Sequence, residues 1–331
     1  MKALFMTKDA ARLCEVYDQK TRESLSAKLE FLEPITNISQ LDSREDIKDA
    51  EVIFSTWGML SLTKEQIAGH FPKLRAVFYG AGSVQYFARP FLESGIEVFS
   101  AWAANAVPVA EFTVAQIILA DKGYFQRFHR VPGKEWSNRS LGGRYTGTYG
   151  NKVGLIGIGM IGSLVAEMLK AYKIKVLAFD PFLSDERAAE LGVEKVSLET
   201  LFSESTVISN HLANNPQTVG MLNASLFSLM KPNATFINTG RGAQVVEDDL
   251  IAALEAEPAR TALLDVTLPE PPKPDSKFYT LGNVFLSPHI AGSLGDEVAR
   301  MGEYMAEEFG RWSSGEPTKW GVTLKMLETM A

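Results

Sequence analysis

The segment Val153-Gly154-Leu155-Ile156-Gly157-Ile158-Gly159-Met160-Ile161-Gly162 constrains the fold more than any other part of the chain. An apolar strand runs into G-x-G-x-x-G and then into a helix-forming stretch, Ser163–Tyr172. Gly157 permits a tight turn, Gly159 lets a pyrophosphate approach the backbone, and Gly162 lets strand and helix pack closely. The helix N-terminus adds free N–H groups and partial positive charge. The next apolar run, Lys175–Phe179, ends in Asp180, 18 residues after Gly162. A carboxylate there accepts both ribose hydroxyls of NAD and repels the 2′-phosphate of NADP. Glycine turns alone are common, and it is the strand, the helix and the spaced acid together that make this one specific. Gly157, Gly159, Met160, Ile161, Gly162 and Asp180 are therefore expected at the cofactor. Arg187, the nearest downstream arginine, falls on the following helix, away from the ribose.

The rest of the chain repeats the same alternation. Before residue 104 the strand candidates are Lys2–Thr7, Val52–Ser55, Leu74–Tyr79 and Glu97–Ala101, with helical stretches at Ala10–Glu30, Ser61–His70 and Val84–Ser94. Asn105–Arg130 reads as one long apolar helix, and the glycine-punctuated residues 132–150 read as a loop or linker. Later strands are expected at Lys152–Ile156, Lys175–Phe179, Thr206–Asn210, Thr235–Asn238, Ala262–Val266 and Val284–Leu286, with a final helix over Asp296–Trp312. Strands separated by helices imply crossovers and parallel sheets. A length of 331 residues suits two such domains.

Composition excludes several classes. Lys and Arg number 33 against 40 Asp and Glu, a net charge of −7 that argues against a nucleic-acid partner. The single cysteine, Cys14, allows no intrachain disulfide and fits a reducing compartment. Four histidines, His70, His129, His211 and His289, are too few for a metal cluster, and no metal is expected. The N-terminal apolar run is too short for a signal peptide, and Val107–Ala120 is shorter than the ~20 residues of a membrane span. A cytoplasmic protein without a membrane partner is expected.

Three more strands run straight into polar residues: Thr235–Asn238 into Thr239-Gly240-Arg241-Gly242, Leu263–Val266 into Thr267-Leu268-Pro269-Glu270, and Val284–Leu286 into Ser287-Pro288-His289. In an open parallel sheet the carboxyl ends of strands line the ligand crevice. His289 can give a proton to a carbonyl oxygen near neutral pH. Glu270 can orient its ring, and Arg241 offers a planar fork for a carboxylate. Each alone could be structural, but behind a dinucleotide loop they form a coherent set. His211 also follows a strand but has no obvious partner, and a structural reading is favoured for it. His70 and His129 read as surface residues. Trp57, beside Gly58, is either a pocket wall or a core residue.

These segments resemble the D-isomer-specific 2-hydroxyacid dehydrogenase family along nearly the whole chain. The resemblance rests on Gly157–Gly162 with Asp180, Asn238–Gly242, Asp265 with Glu270-Pro271, and Ser287–Gly292. It implies that Arg241, Glu270 and His289 are catalytic, and that Thr239 and Asp265 line the nicotinamide end. Gly240 and His211 fall beside the same cofactor. The implied fold is α/β, with a Rossmann dinucleotide-binding domain (residues 104–295) inserted into a flavodoxin-like substrate-binding domain (residues 1–103 and 296–331). Tyr79-Gly80-Ala81-Gly82-Ser83 resembles the loop whose N–H groups grip the substrate carboxylate, placing Trp57, Gly80, Ala81, Gly82, Arg241 and His289 at the substrate. Such a glycine-rich strand exit can act as an anion nest. Asn105–Glu111 resembles the helix start at the interdomain hinge, with Asn105 also readable as an N-cap. Two departures stand out: Ala213 replaces the usual proline after His211, and Val84-Gln85 replaces an Asp-based pattern.

The implied reaction interconverts a 2-oxo acid and a D-2-hydroxy acid with NAD(H). His289 acts as acid and base, and domain closure excludes water. Glyoxylate, hydroxypyruvate or a sugar-derived oxo acid is the expected substrate. No cluster of Lys or Arg sits in the substrate loops, which disfavours a phosphorylated substrate, and phosphoglycerate dehydrogenase-type activity is kept as an alternative. A formate dehydrogenase would carry Gln where Glu270 stands. An NAD-sensing, corepressor-like binding protein is the other alternative. A homodimer through the NAD-binding domain is expected from the resemblance.

Overall fold

The computed structural model describes residues 1–128, 145 and 147–328. His129 and most of the 132–150 segment lie outside the described residues. The chain forms two compact units, Met1–Asn105 with Ser293–Ala331, and Ala106–Gly292.

In the first unit, strands β1 (Lys2–Phe5), β2 (Glu30–Phe31), β3 (Val52–Ser55), β4 (Ala76–Tyr79) and β5 (Glu97–Ser100) form a parallel sheet in the order β5-β4-β3-β1-β2. This is the flavodoxin-like winding. A late strand, β13 (Gly321–Val322), pairs antiparallel with β5. The central strands β3 and β4 are buried along their whole length, as a sheet covered on both faces requires. Phe54, Phe78 and Phe99 stack on one face under Phe309 and Trp312 of the helix Glu297–Ser314. The helix Lys64–His70 starts at Thr63, whose side chain forms a capping box with Gln66.

Among its described residues the second unit holds seven parallel strands: β6 (Lys152–Ile156), β7 (Lys175–Phe179), β8 (Val193–Lys195), β9 (Val207–Asn210), β10 (Thr235–Asn238), β11 (Thr261–Leu264) and β12 (Val284–Leu286). Their order, β12-β11-β10-β9-β6-β7-β8, is the doubly wound Rossmann arrangement with one added edge strand. The order reverses between β6 and β9, so the exits at Gly157 and His211 flank the switch point where ligands bind.

Several boundaries differ from the sequence reading. The long helix begins at Trp102 and ends at Asp121, and Gly123 (φ 62°) breaks it from a short helix, Tyr124–Phe128. Asn105 is thus inside the helix, where its side chain accepts the Ser293 N–H (3.0 Å), and is not an N-cap. Ala10–Glu30 splits because Asp18 caps a second helix, Gln19–Ser26, and Glu30 joins β2. Only Ala88–Glu93 of the Val84–Ser94 stretch is helical. Trp102–Asp121 is long and apolar enough to cross a membrane, but Ala110, Val114, Ile117 and Ala120 pack into the core of the second unit.

Candidate active site

The glycine loop has the geometry of a phosphate cradle. Gly157 has φ 87°, and a Cβ there would lie 2.9 Å from the His211 carbonyl. A Cβ on Gly162 would lie 2.1 Å from the Gly157 oxygen, so glycine is required for that close turn. Gly159 is open, with no atom within 4 Å of a Cβ built on it. The helix Met160–Leu169 starts there without a side-chain cap, leaving its first N–H groups facing outward. This uncapped, open turn fits a dinucleotide pyrophosphate. Asp180 stands at the β7 exit, accepting the Ile158 N–H (2.7 Å) and the Phe182 N–H (2.8 Å). It braces the loop while remaining partly exposed. Arg187 is on the helix Asp185–Leu191, paired with Glu190 at 2.9 Å.

Glu270 and His289 meet. His289 Nδ1 lies 2.6 Å from Glu270 Oε1, with both side chains about half exposed. A carboxylate only accepts, so Nδ1 carries the proton and Nε2 is left to exchange one with a ligand. His289 has φ 54°, the one positive value among the described non-glycine residues. Such a backbone costs about 1–3 kcal/mol and persists only where its surroundings hold it. Asp265 does the holding. Its carboxylate accepts from the Ser287 hydroxyl (2.6 Å), the Ile290 N–H (2.9 Å) and the Ala291 N–H (2.9 Å). Its own carbonyl accepts the His289 N–H (3.0 Å).

Arg241 sits at the β10 exit. Its Nη1 donates to the Gly240 carbonyl at 2.7 Å, the single hydrogen bond of its guanidinium among the described residues. Burial pulls it below the usual arginine range, and the Glu270 charge works against that pull. The site therefore holds a desolvated cation with donors to offer an anion. Gly242 is needed because a Cβ there would lie 2.0 Å from the Thr267 carbonyl carbon, on the loop that carries Glu270.

Other residues near the strand exits are engaged within the protein. His211 is buried, its ring between Ser209 Oγ (3.0 Å from Nε2) and Thr239 Oγ1 (3.4 Å from Nδ1). Desolvation drops its pKa to about 3, so the ring is neutral. Thr239 Oγ1 also meets Thr113 Oγ1 at 3.2 Å. The His211 ring and the Thr239 hydroxyl thus point into the protein, and the Gly240 N–H is held by Asn238 Oδ1 (3.1 Å). In the first unit, the Gly80 N–H donates to the Ser55 carbonyl (2.7 Å) and the Ala81 N–H to the Tyr79 carbonyl (2.9 Å). Among the described residues, the N–H groups of Gly82 and Ser83, further along that loop, have no partner. Trp57 is partly buried at the β3 exit, under the Arg12 guanidinium at 5.4 Å. His70 lies 3.4 Å from Asp42 Oδ1. No cluster of metal-ligating side chains occurs among the described residues.

The sequence reading gave no role to Asn210, Asn238 and Gln244. Their amides form one buried cluster around the Arg241 backbone.

Known proteins resemble this chain in sequence and fold. Residues 114–291 match the family model of the D-isomer specific 2-hydroxyacid dehydrogenase, NAD binding domain. A D-3-phosphoglycerate dehydrogenase of Archaeoglobus fulgidus is 34% identical over 236 residues, which is 71% of this chain and 44% of that protein. One from a Synechocystis species is 30% identical over 301 residues, 88% of this chain and 54% of that protein. The chain spans about half the length of these curated relatives. The crystal structure of a phosphoglycerate oxidoreductase from Rhizobium etli superimposes with a TM-score of 0.81 at 25% identity, covering 96% of each chain. The chain belongs to the D-isomer-specific 2-hydroxyacid dehydrogenase family, with an NAD-binding domain over residues 114–291.

Proposed function

We propose that this protein reduces small 2-oxo acids to D-2-hydroxy acids with NADH, and runs the reverse reaction with NAD. The observation that carries this reading is the 2.6 Å contact between His289 and Glu270, on a strand-exit loop held in a strained turn. When bound, the nicotinamide supplies the hydride. His289 Nε2 gives the proton to the carbonyl oxygen, and Glu270 fixes the ring by accepting from Nδ1. Arg241 grips the substrate carboxylate and polarises the adjacent carbonyl. Gly157, Gly159, Met160, Ile161 and Gly162 hold the pyrophosphate. Asp180 accepts the ribose hydroxyls, which favours NADH over NADPH. His211, Thr239, Gly240 and Asp265 shape the nicotinamide end through their backbone and their grip on neighbouring loops.

The first unit, Met1–Asn105 with Ser293–Ala331, is assigned to substrate binding, and the second, Ala106–Gly292, to the cofactor. Within the first unit, Trp57 and the loop Gly80, Ala81, Gly82 and Ser83 take the substrate side, with the free N–H groups of Gly82 and Ser83 acting as an anion nest. A cytoplasmic homodimer through the NAD-binding domain completes the reading. Glu111, Val114, Ile118, Leu119, Met168 and Tyr172 line an open apolar groove on that unit, which suits a second copy.

The test is NADH and NADPH oxidation with glyoxylate, hydroxypyruvate, phosphohydroxypyruvate and sugar-derived 2-oxo acids. The names of the relatives put the phosphorylated acid in the panel. Turnover of at least one acid, faster with NADH than NADPH, is the expected result. Tight NADH binding with no turnover of any acid would favour the NAD-sensing, corepressor-like alternative.

A further inference from the structure

We infer that Gln244, with Asn210 and Asn238, is a positioning residue that fixes the backbone of Arg241 and so aims its guanidinium. The inference rests on the proposed role of Arg241 in gripping the substrate. All three amides are buried, Asn210 and Gln244 completely. Gln244 Oε1 accepts the Arg241 N–H (3.1 Å) and Asn210 Nδ2 (2.6 Å). Asn238 Nδ2 donates to the Arg241 carbonyl (3.2 Å), and Asn238 Oδ1 accepts Asn210 Nδ2 (3.0 Å) and the Gly240 N–H. The peptide units on both sides of Arg241 are therefore held by side chains.

The cluster also reaches the neighbouring strand exit. Gln244 Nε2 donates to the carbonyls of Leu212 (2.7 Å) and Ala213 (2.9 Å), and Asn210 Oδ1 accepts the Leu212 N–H (3.2 Å). The Ala213 carbonyl in this loop is thus pinned by Gln244. Gly240 makes this possible, because a Cβ there would lie 2.9 Å from both Asn210 Nδ2 and Gln244 Oε1. The chemistry of the cluster suits its task. Neutral amides hold the cation-bearing segment without neutralising it, whereas a carboxylate at position 244 would compete with an anionic substrate for the guanidinium.

The experiment is a double-mutant cycle of Gln244→Ala and Arg241→Ala, read as kcat/KM for a 2-oxo acid and as the Kd for NADH. Misaiming a substrate clamp costs up to ~10²-fold, so Gln244→Ala should lower kcat/KM by tenfold to a hundredfold, mainly through KM (roughly these factors). NADH binding should stay within about twofold. In the Arg241→Ala background the same change should have little further effect. Gln244→Glu keeps length and acceptor but loses the donor pair. It serves where the alanine variant fails to fold, and should show the same KM-weighted loss. Equal losses from Gln244→Ala in both backgrounds, or losses confined to folded yield, would overturn the inference alone. An unmodified protein that turns over no 2-oxo acid would overturn the proposed function and this inference together.

Discussion

Replacing His289 by alanine should lower kcat for 2-oxo acid reduction by about 10²–10⁴-fold, the usual worth of a positioned general acid. NADH affinity should change little, because the Gly157–Gly162 cradle and Asp180 do not touch His289 in the structure. The same reasoning separates Glu270 from His289. Glu270→Gln keeps a side-chain oxygen within reach of Nδ1 but removes the charge that holds the tautomer, so its loss should be smaller and fall on kcat. Steady-state kinetics and NADH fluorescence titration check both. A His289→Ala variant that retains normal turnover with every acid tested would remove the assigned acid from the mechanism.

Replacing Glu308 by alanine should lower the stability of the first unit by about 3–5 kcal/mol, the range for breaking a buried ion pair by deleting one partner. Glu308 is fully buried. One carboxylate oxygen accepts the main-chain N–H groups of Lys319 and Trp320, each at 2.6 Å. The other meets Arg311 at 2.6 and 2.8 Å. The side chain thus ties the helix Glu297–Ser314 to the segment that becomes β13 at the edge of the sheet. Without it the Lys319 and Trp320 N–H groups lose their acceptor, and the partly buried Arg311 guanidinium keeps only Glu307 among the described residues, at 3.9 Å. Denaturant unfolding followed by tryptophan fluorescence measures the change, with Trp312 and Trp320 as nearby reporters. A shift below about 1 kcal/mol would show that water reaches these groups in the variant.

What was legible in the sequence is what local chemistry fixes. The glycine loop could be read because its strand, its turn glycines and its helix follow one another directly in the chain. Arg241, Glu270 and His289 could be read because each follows an apolar strand, and a parallel sheet gathers strand exits on one edge. The short edge strands β2, β8 and β13 were not legible. They carry Glu30, Glu194, Lys195 and Gly321, and their pairing is set by neighbours rather than by their own pattern.

The amide cluster was invisible for a similar reason. Asn210 and Asn238 are register partners across β9 and β10, and nothing in either strand announces the other. Asp265 shows the limit in a different way. Its position was readable, but not that its carboxylate closes on Ser287, Ile290 and Ala291 and so holds the turn carrying His289. Within the glycine-rich loop Tyr79–Ser83, the Gly80 and Ala81 N–H groups are taken by the Ser55 and Tyr79 carbonyls. Such assignments depend on which donors the fold leaves unpaired, a quantity that residue types alone do not determine.

The central claim is hydride transfer between NADH and the 2-carbon of an oxo acid at the His289–Glu270–Arg241 set. Reduction of a turned-over 2-oxo acid with NADH deuterated at nicotinamide C4, followed by mass and chiral analysis of the product, tests it most directly. Deuterium at C2 of a D-hydroxy acid, with transfer suppressed in His289→Ala, is the predicted result. NADH bound but no label in any hydroxy acid, or label in the L-product, would contradict it.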